Sequence, residues 1–193
     1  MKNILKISFL SFILVFASCK DRKKYKEIDS TDSLNQQEIV SKEKTAPTKF
    51  SPAIDSIVED YLKIKNALVE NNSTEAATAG KTLLVTLSNM NTDSLDPKLK
   101  NQYDTIVSEA KKHVENIKSN SKELDVQRMN FSELSGDINN LIMIFGTNKK
   151  LYQDYCPMYN KGTTGFWISE MKDIKNPYYG SEMLTCGIIK KEF

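Results

Sequence analysis

The sequence predicts a mainly α protein, an antiparallel four-helix bundle with a short irregular or β C-terminal tail packed on it. Apolar residues recur at three-and-four spacing in four blocks between residues 51 and 145, which is the period of helices with one buried face. Short polar connections between the blocks favour antiparallel neighbours. After Gly146 the helical period disappears, and Tyr, Phe, Trp, Gly and Pro become frequent, so this last part is not expected to be helical.

Residues 1–18 have the pattern of a signal peptide, because two lysines precede an apolar run that ends at Phe16 and small residues follow it. The run is too short for a membrane span. Cys19, directly after Ala-Ser, resembles the lipobox Cys of bacterial lipoproteins, which is acylated and becomes the first residue of the mature chain. A plain secretory peptide with an incidental Cys is the alternative. We therefore expect an extracytoplasmic protein, lipid-anchored to the cell envelope on the periplasmic side of a membrane.

Residues 19–50 hold the lipidated Cys and a flexible tether, because they are polar and have no sustained apolar period. Residues 51–193 remain for a single helical domain. The chain has 27 basic and 25 acidic residues, and the excess of two is matched by Lys2 and Lys6 in the signal peptide. The mature protein is therefore close to neutral, and no nucleic acid partner is expected.

The first two helices are predicted at about 52–72 and 74–90. Ser51 offers an N-cap, and Pro52 suits the first turn of the first helix. Ser73 begins the second block after an Asn-Asn pair that ends the first. The predicted inward faces comprise Ile54, Ile57, Val58, Tyr61, Leu62, Leu68 and Val69, and then Ala76, Gly80, Leu83, Leu84, Leu87 and Met90.

The third and fourth helices are predicted at about 97–118 and 122–145. Asp96 before Pro97 is a capping signal, and Gly146 is suited to a left-handed stop after the fourth helix. The predicted inward faces comprise Tyr103, Ile106, Val107, Ala110, Val114 and Ile117, and then Leu124, Phe131, Leu134, Ile138, Leu141, Ile142 and Phe145.

The tail, residues 147–193, contains short extended or strand-like segments at 151–155 and 165–169 and a turn signal at 176–180. It is too short to fold alone. Its aromatic residues are therefore expected to pack on one end of the bundle and to hold the Cys and Met loops in place.

The candidate site consists of Cys156, Met158, Met183 and Cys186. Thiolate and thioether sulfur are soft ligands that favour Cu(I) or Ag(I), and no organic cofactor is evident. In an extended segment Cys156 and Met158 project to the same side, whereas Met183 and Cys186 converge only in a helical turn. The pattern therefore points to metal handling.

Other interpretations of these residues stay open. In an oxidising compartment Cys156 and Cys186 could form a disulfide instead of a metal site. Met158 and Met183 could serve ordinary packing. His113, the single histidine, lies at the edge of an apolar stripe, where it is either a boundary residue or an additional nitrogen ligand.

Several short elements along the chain resemble one family. They are Tyr61–Leu68, Arg128-x-x-Phe131-x-x-Leu134-Ser135, Leu151-Tyr152, Cys156-Pro157-Met158, Trp167-Ile168-Ser169, Asn176-Pro177-Tyr178-Tyr179-Gly180 and Met183-Leu184-x-Cys186-Gly187. Together they resemble an extracytoplasmic bacterial family known mainly as a domain of unknown function, found alone or attached to heavy-metal efflux adaptors. The Tyr-x-x-Cys-Pro-Met element is similar to that of heavy-metal-binding domains in copper and silver resistance systems, although Tyr159 stands where those domains usually have His.

The resemblance implies a metal-associated periplasmic module with Cys156, Met158, Met183 and Cys186 as ligands and His113 as a further one. We interpret the protein as a Cu(I) or Ag(I) binding protein, a chaperone or accessory to heavy-metal efflux. Its expected partners are the ion, an efflux adaptor or other envelope protein, and the membrane through its anchor. The alternative is a disulfide-stapled structural or interaction module. An enzyme is not expected, because a Cys–His nucleophile would need an oxyanion-forming loop and none is visible.

Overall fold

The computed structural model describes residues 48–193, which form four helices followed by a three-stranded sheet. The helices are α1 (Ser51–Val69), α2 (Ser73–Ser88), α3 (Pro97–Ser119) and α4 (Leu124–Phe145). These bounds agree with the predicted mainly α class and lie within about three residues of the predicted helix ends. The predicted signal peptide, Cys19 and the tether up to residue 47 lie outside the described residues.

The helix ends follow the capping signals of the sequence in two of three cases. Asp96 caps α3, and its Oδ1 accepts hydrogen bonds from two backbone N–H groups of the first turn. Gly146 ends α4 as expected and has a positive φ of 76°, although its ψ of 172° differs from that of the left-handed helical conformation. The prediction that Ser51 caps α1 was wrong, because Ser51 is already helical and its hydroxyl donates to the carbonyl of Phe145 at 3.1 Å.

The residues just before α1 belong with the helical domain. Phe50, which was assigned to the tether, is buried and lies edge-on to the ring of Tyr103, with centroids 5.7 Å apart. The hydroxyl of Thr48 donates to the carbonyl of Phe145. The N-terminal end of α1 is therefore fastened to the C-terminal end of α4, and residues 48–50 are not part of a free tether.

The four helices form an antiparallel bundle in which α1 packs against α2 and α4, and α3 packs against the same two helices. Most of the predicted inward residues are buried, and the rings of Tyr61 and Phe131 stack with centroids 5.1 Å apart between α1 and α4. The predicted inward residues that are only partly buried are Val69, Leu84, Met90, Ile106 and Leu124. Within residues 48–193, no helix combines the length and apolarity needed to cross a bilayer.

The tail forms strands β1 (Tyr152–Tyr155), β2 (Phe166–Ser169) and β3 (Ile188–Glu192), antiparallel in the order β2-β1-β3. Short 3₁₀ turns lie at Tyr159–Gly162 and Gly180–Glu182. The sheet packs on α4, where Nε2 of Gln153 donates to Oδ1 of Asn139 at 3.0 Å. The first two strands match the predicted extended segments, whereas β3 was not predicted separately. Its sequence signal is the Ile188-Ile189 pair.

Candidate metal site

The structure brings the two tail cysteines together beside the central strand. Cys156 follows β1 directly and Cys186 lies two residues before β3, and their Sγ atoms are 3.3 Å apart. Both are free thiols. The side chain of Cys156 is fully buried, whereas Cys186 is partly exposed. Solvent therefore reaches this pair through Cys186.

The position of Cys156 is set by the β1–β2 ladder. Its backbone N–H donates to the carbonyl of Gly165 at 2.8 Å, which extends the ladder one residue beyond β1. A Cβ at position 165 would lie 2.6 Å from the carbonyl oxygen of Cys156, so only Gly allows this close approach. The ladder thus holds Cys156 on the same sheet face as Asp154, two residues earlier.

The position of Cys186 is set by Asn176, whose side chain is fully buried. Its Nδ2 donates to the carbonyl of Cys186 at 2.7 Å, and its backbone N–H donates to the carbonyl of Leu184 at 2.8 Å. Its Oδ1 accepts from the backbone N–H of Tyr178 at 2.8 Å. One amide side chain therefore joins the turn at residues 176–180 to the loop that carries Cys186.

The two neighbouring tyrosines hold the segments around Cys156. The hydroxyl of Tyr178 donates to the carbonyl of Phe166 at 2.6 Å, and that of Tyr179 donates to the carbonyl of Met158 at 3.1 Å. The ring of Tyr178 also packs edge-on against Trp167, with centroids 5.8 Å apart. These contacts agree with the expected role of the aromatic residues, which is to pack on the bundle and to position the loops.

The two thioethers lie in turns on the surface. Met158 is 59% exposed and Met183 is 36% exposed. The expectation that Cys156 and Met158 project to one side from an extended segment was wrong, because the N–H of Tyr159 donates to the carbonyl of Cys156 at 3.4 Å and closes a turn. Proline is well suited to the second position of such a turn. Met183 and Cys186 share a turn as well, closed by a 3.0 Å hydrogen bond from Cys186 N–H to Met183 O.

His113 lies on α3, at the edge of the buried stripe as the sequence indicated. Its Nε2 is 3.9 Å from Oδ2 of Asp137 on α4, and its side chain is 25% exposed. Burial raises the pKa of Asp137 to about 7, with Glu109 and Glu133 adding to the rise. The structure therefore places His113 beside the carboxyl group of Asp137, beyond hydrogen-bond distance. No contact joins His113 to a sulfur of the tail in residues 48–193.

Two buried charged residues near the cysteines were missed by sequence reasoning. Lys65 on α1 is fully buried and forms an ion pair with Glu170 at 2.8 Å. Asp154 on β1 is also fully buried, and neither of its carboxylate oxygens has a hydrogen-bond partner among the described residues. The signal was present, because Lys65 falls four residues after Tyr61 on the apolar stripe, and Asp154 alternates with Tyr152 and Cys156.

The surroundings of Cys186 favour the protonated form of its thiol. The hydrogen bond to Cys156, followed by burial, raises the pKa of Cys186. Burial likewise raises the pKa of Asp154 to about 7, an effect that the charge of Lys65 opposes. A metal ion that binds Cys186 would thus have to displace its thiol proton.

The donors at this site fit a soft monovalent ion better than Zn²⁺. In residues 48–193 no three His, Cys, Asp or Glu side chains are close enough to hold a metal ion together. Two thiols lie together here, and the thioethers of Met158 and Met183 follow or precede them by two and three residues in sequence. A structural Zn²⁺ site usually needs four ligands of the Cys, His or carboxylate kind. Sulfur-only donor sets of this kind favour Cu(I).

Comparison with known families places most of the bundle in one of them. Residues 57–150 match the model of a family described as a protein of unknown function, DUF3347. The match ends just before β1, so both cysteines and both exposed methionines of the site lie outside it. Comparison with curated proteins and with solved structures finds no match. The chain therefore carries a DUF3347 domain, formed by most of α1 and all of α2, α3 and α4.

Proposed function

We propose that this protein binds Cu(I) or Ag(I) outside the cytoplasm through Cys156 and Cys186, and passes the ion to a heavy-metal efflux system. The observation that carries the proposal is the 3.3 Å distance between the two Sγ atoms. Two sulfurs from segments 30 residues apart meet here, and both segments are held by hydrogen bonds that do not involve the thiols.

The distance suits a pair of ligands that share one ion. The Sγ atoms are 3.3 Å apart, whereas metal–sulfur bonds of about 2.3 Å allow two sulfurs to be at most about 4.6 Å apart around one ion. The pair therefore has to open by about 1.3 Å for linear coordination and by less for a bent one. The turn at residues 183–186 is the segment that can move, because Cys186 is the more exposed of the two cysteines.

The two thioethers could let the bound ion pass from the cysteines to a partner protein. Met158 lies two residues after Cys156, and Met183 lies three residues before Cys186. Both are exposed, so a neutral thioether can hold an ion loosely while a partner approaches. Thiol protons must leave when the ion binds, so affinity should rise with pH. A site that releases its ion by ligand exchange suits a chaperone.

The sequence supports the proposed location and partner. Cys19 resembles a lipobox Cys, which would anchor the mature chain to the envelope by lipid. The Cys-Pro-Met element at residues 156–158 resembles heavy-metal-binding domains of copper and silver resistance systems. An efflux adaptor is therefore the partner that we propose, and we propose no catalytic role.

A disulfide-stapled structural or interaction module is the second candidate function. The same 3.3 Å distance favours it, because closing the pair to a disulfide of about 2.04 Å needs a movement of about 1.3 Å. A cross-link that closes a loop of this length stabilises a protein by about 3 to 4 kcal/mol. In that case the disulfide would hold the tail rigidly, and the surface of the tail would bind an envelope partner.

The test is an anaerobic Cu(I) competition titration of the full-length chain with Cys19→Ser, so that Cys156 and Cys186 are the remaining thiols. Free thiols are counted first in the protein as isolated from the periplasm. The Cys156→Ser/Cys186→Ser variant is titrated in parallel, with Met171→Leu as a control at an exposed methionine away from both cysteines in sequence.

Two free thiols and one Cu(I) per chain, with binding weakened at least a hundredfold in the double variant and unchanged in the control, would support the metal role. Thiols that are already paired, together with a reduced protein that binds Cu(I) no tighter than the double variant, would overturn it. The stapled module would then be the better interpretation.

A further inference from the structure

Exposed methionines extend beyond the candidate site. Six large apolar side chains are exposed in residues 48–193, and four of these are methionines. They are Val85, Met129, Met158, Met171, Met183 and Ile188. Met129, on α4, is 58% exposed and was not part of the predicted site. Core packing does not explain a thioether left this far in solvent.

Met129 lines a cavity between α4 and the 3₁₀ turn at Tyr159–Gly162. The cavity has a volume of about 300 Å³, which is at the lower end of the range for small-ligand sites. Its lining residues are Met129, Ser132, Glu133, Tyr159, Asn160 and Thr164. The turn that forms one wall directly follows the Cys156-Pro157-Met158 element.

Contacts outside the cavity fix the position of Tyr159 and of the loop at residues 159–164, which form one wall. The ring of Tyr159 stacks on that of Tyr178 with centroids 4.0 Å apart. Asn160 and Lys161 both have positive φ, 45° and 56°, a conformation that is costly for residues with a Cβ. Nδ2 of Asn160 donates to Oγ1 of Thr164 at 3.0 Å, which ties the two ends of the loop together. The Tyr159 ring is therefore fixed against Tyr178 at one wall of the cavity.

The groups around the cavity are those that attract a soft cation. Met129 offers a thioether, and Tyr159 offers an aromatic ring, which attracts cations electrostatically. The carboxylate of Glu133 forms no hydrogen bond or ion pair with the described residues. Its charge and the opposite charge of Arg128 both act on Tyr159, where Arg128 lowers the pKa that burial raises. A carboxylate alone would favour hard ions, whereas the thioether selects a soft one.

We propose that this cavity is an outer binding site for a soft monovalent cation, with the Met129 thioether as ligand, the Tyr159 ring as a wall and Glu133 as the source of charge. As an entry point to the cysteines the site rests on the proposed function, since Tyr159 is three residues from Cys156 along the chain. Binding of a cation in the cavity itself depends only on Met129, Tyr159 and Glu133 and not on the cysteines. The expected affinity is weak, because only one strong donor is present.

The experiment follows methionine methyl groups by NMR in the full-length chain labelled with [methyl-¹³C]Met, with all three cysteines replaced by Ser. Silver nitrate is the probe, and each signal is assigned by a Met→Leu substitution. We expect the Met129 signal to shift saturably at Ag(I) concentrations at least tenfold below those that shift Met171, an exposed methionine that does not line the cavity. Glu133→Gln should raise the half-saturating concentration several-fold.

A Met129 signal that shifts no earlier than that of Met171 would overturn the outer site, even if Cu(I) binding by the cysteine pair is confirmed. Conversely, an early Met129 shift in the cysteine-free chain supports the outer site even if the cysteine pair binds no Cu(I). The two proposals can therefore fail separately. Circular dichroism of the cysteine-free chain checks that its helices remain formed.

Discussion

The ammonium nitrogen of Lys65 lies 2.8 Å from Oε2 of Glu170, which joins the buried face of α1 to the residue that follows β2. Burial lowers the pKa of Lys65, and the hydrogen bond and charge of Glu170 oppose that effect. Nδ2 of Asn66 donates to the other carboxylate oxygen at 3.1 Å. This contact is one of those that fasten the sheet to the bundle.

Removing the charge of Glu170 should destabilise the protein. Glu170→Gln leaves the ammonium of Lys65 buried without its counter-charge, and we expect the free energy of unfolding in urea to fall by about 2 kcal/mol. This is less than for a fully buried pair, because the side chain of Glu170 is 34% exposed. Fluorescence of Trp167, which is fully buried, reports the transition.

The matched control for this change is Glu115→Gln, because Glu115 pairs with Lys118 on the surface of α3. We expect it to cost at most about 0.5 kcal/mol. Lys65→Met in the Glu170→Gln background should restore part of the loss, since the unpaired charge is then gone. Equal effects of Glu170→Gln and Glu115→Gln would show that the Lys65 pair contributes little.

The contribution of Asp154 to stability should fall as the pH rises from acidic values to neutrality. Burial raises the pKa of Asp154 to about 7, with the charge of Glu170 adding to the rise and that of Lys65 opposing it, whereas an Asp in an unfolded chain has a pKa near 3.9. The folded state thus binds the proton more tightly, and this contribution to stability is full below about pH 4 and is lost as the pH approaches 7. We expect Asp154→Asn to be more stable than the wild type at pH 8 and similar at pH 4.

Thermal unfolding between pH 4 and pH 8 measures this dependence. Asp137 has a pKa that is also raised to about 7, so part of the slope should remain in Asp154→Asn. Asp173→Asn, at an exposed position, should leave the slope unchanged. An identical slope in the wild type and in Asp154→Asn would contradict the prediction.

Asn176 should affect metal binding without touching the ion. Asn176→Ala removes the hydrogen bond to the carbonyl of Cys186 and the one from the N–H of Tyr178. We expect the free energy of unfolding to fall by about 2 kcal/mol and the Cu(I) affinity to fall about tenfold, as for residues that orient metal ligands. Asn101→Ala, at an exposed position on α3, is the control for both measurements.

Of the two effects expected for Asn176→Ala, only the change in Cu(I) affinity depends on the proposed function. A loss of stability with unchanged Cu(I) affinity would mean that the loop around Cys186 does not need Asn176 to hold the ion. Unchanged stability would instead contradict the role of this side chain in the tail.

Cys19 should determine membrane association. Acylation of a lipobox Cys is the basis of this prediction, so Cys19→Ser should move the protein from the membrane fraction to the soluble fraction and abolish labelling with palmitate. Cys156→Ser, which lies far from the lipobox in sequence, should keep both properties. Palmitate labelling that persists in Cys19→Ser would refute lipidation at this residue.

Gly180 should not tolerate a side chain. Its φ is +53°, and a Cβ would lie 2.2 Å from Oδ1 of Asn71 in the loop after α1. Gly180→Ala should therefore lower the free energy of unfolding by about 2 kcal/mol or more. Urea unfolding provides the measurement.

Gly136 provides the matched comparison, because it lies inside α4 and a Cβ at this position would come no closer than 4.0 Å to Cζ of Phe166, its nearest neighbour. Gly136→Ala should be neutral or stabilising by up to about 1 kcal/mol, since Ala is the better helix former. If both substitutions had the same effect, the close approach of Gly180 to Asn71 would not be important for stability.

The sequence was sufficient to predict the four helices, because their buried faces and most of their ends depend on residues close together in the chain. Apolar spacing identified the buried faces, and Asp96 and Gly146 marked helix ends through contacts with their own neighbours. Ser51 was misplaced because its hydroxyl bonds to the carbonyl of Phe145, 94 residues away. Capping signals fail when a distant partner competes for the same side chain.

The site was only partly predictable. The sequence by itself determined which residues carry sulfur, and that they lie in a short aromatic tail after a four-helix bundle. Only the tertiary structure decided that the Cys156 and Cys186 sulfurs lie 3.3 Å apart and that Met158 is turned outward. It also decided that the charged side chains of Lys65 and Asp154 are buried. The physical reason is that these positions depend on strand register and on hydrogen bonds between residues far apart in sequence, whereas helical periodicity is set by neighbours three and four residues away.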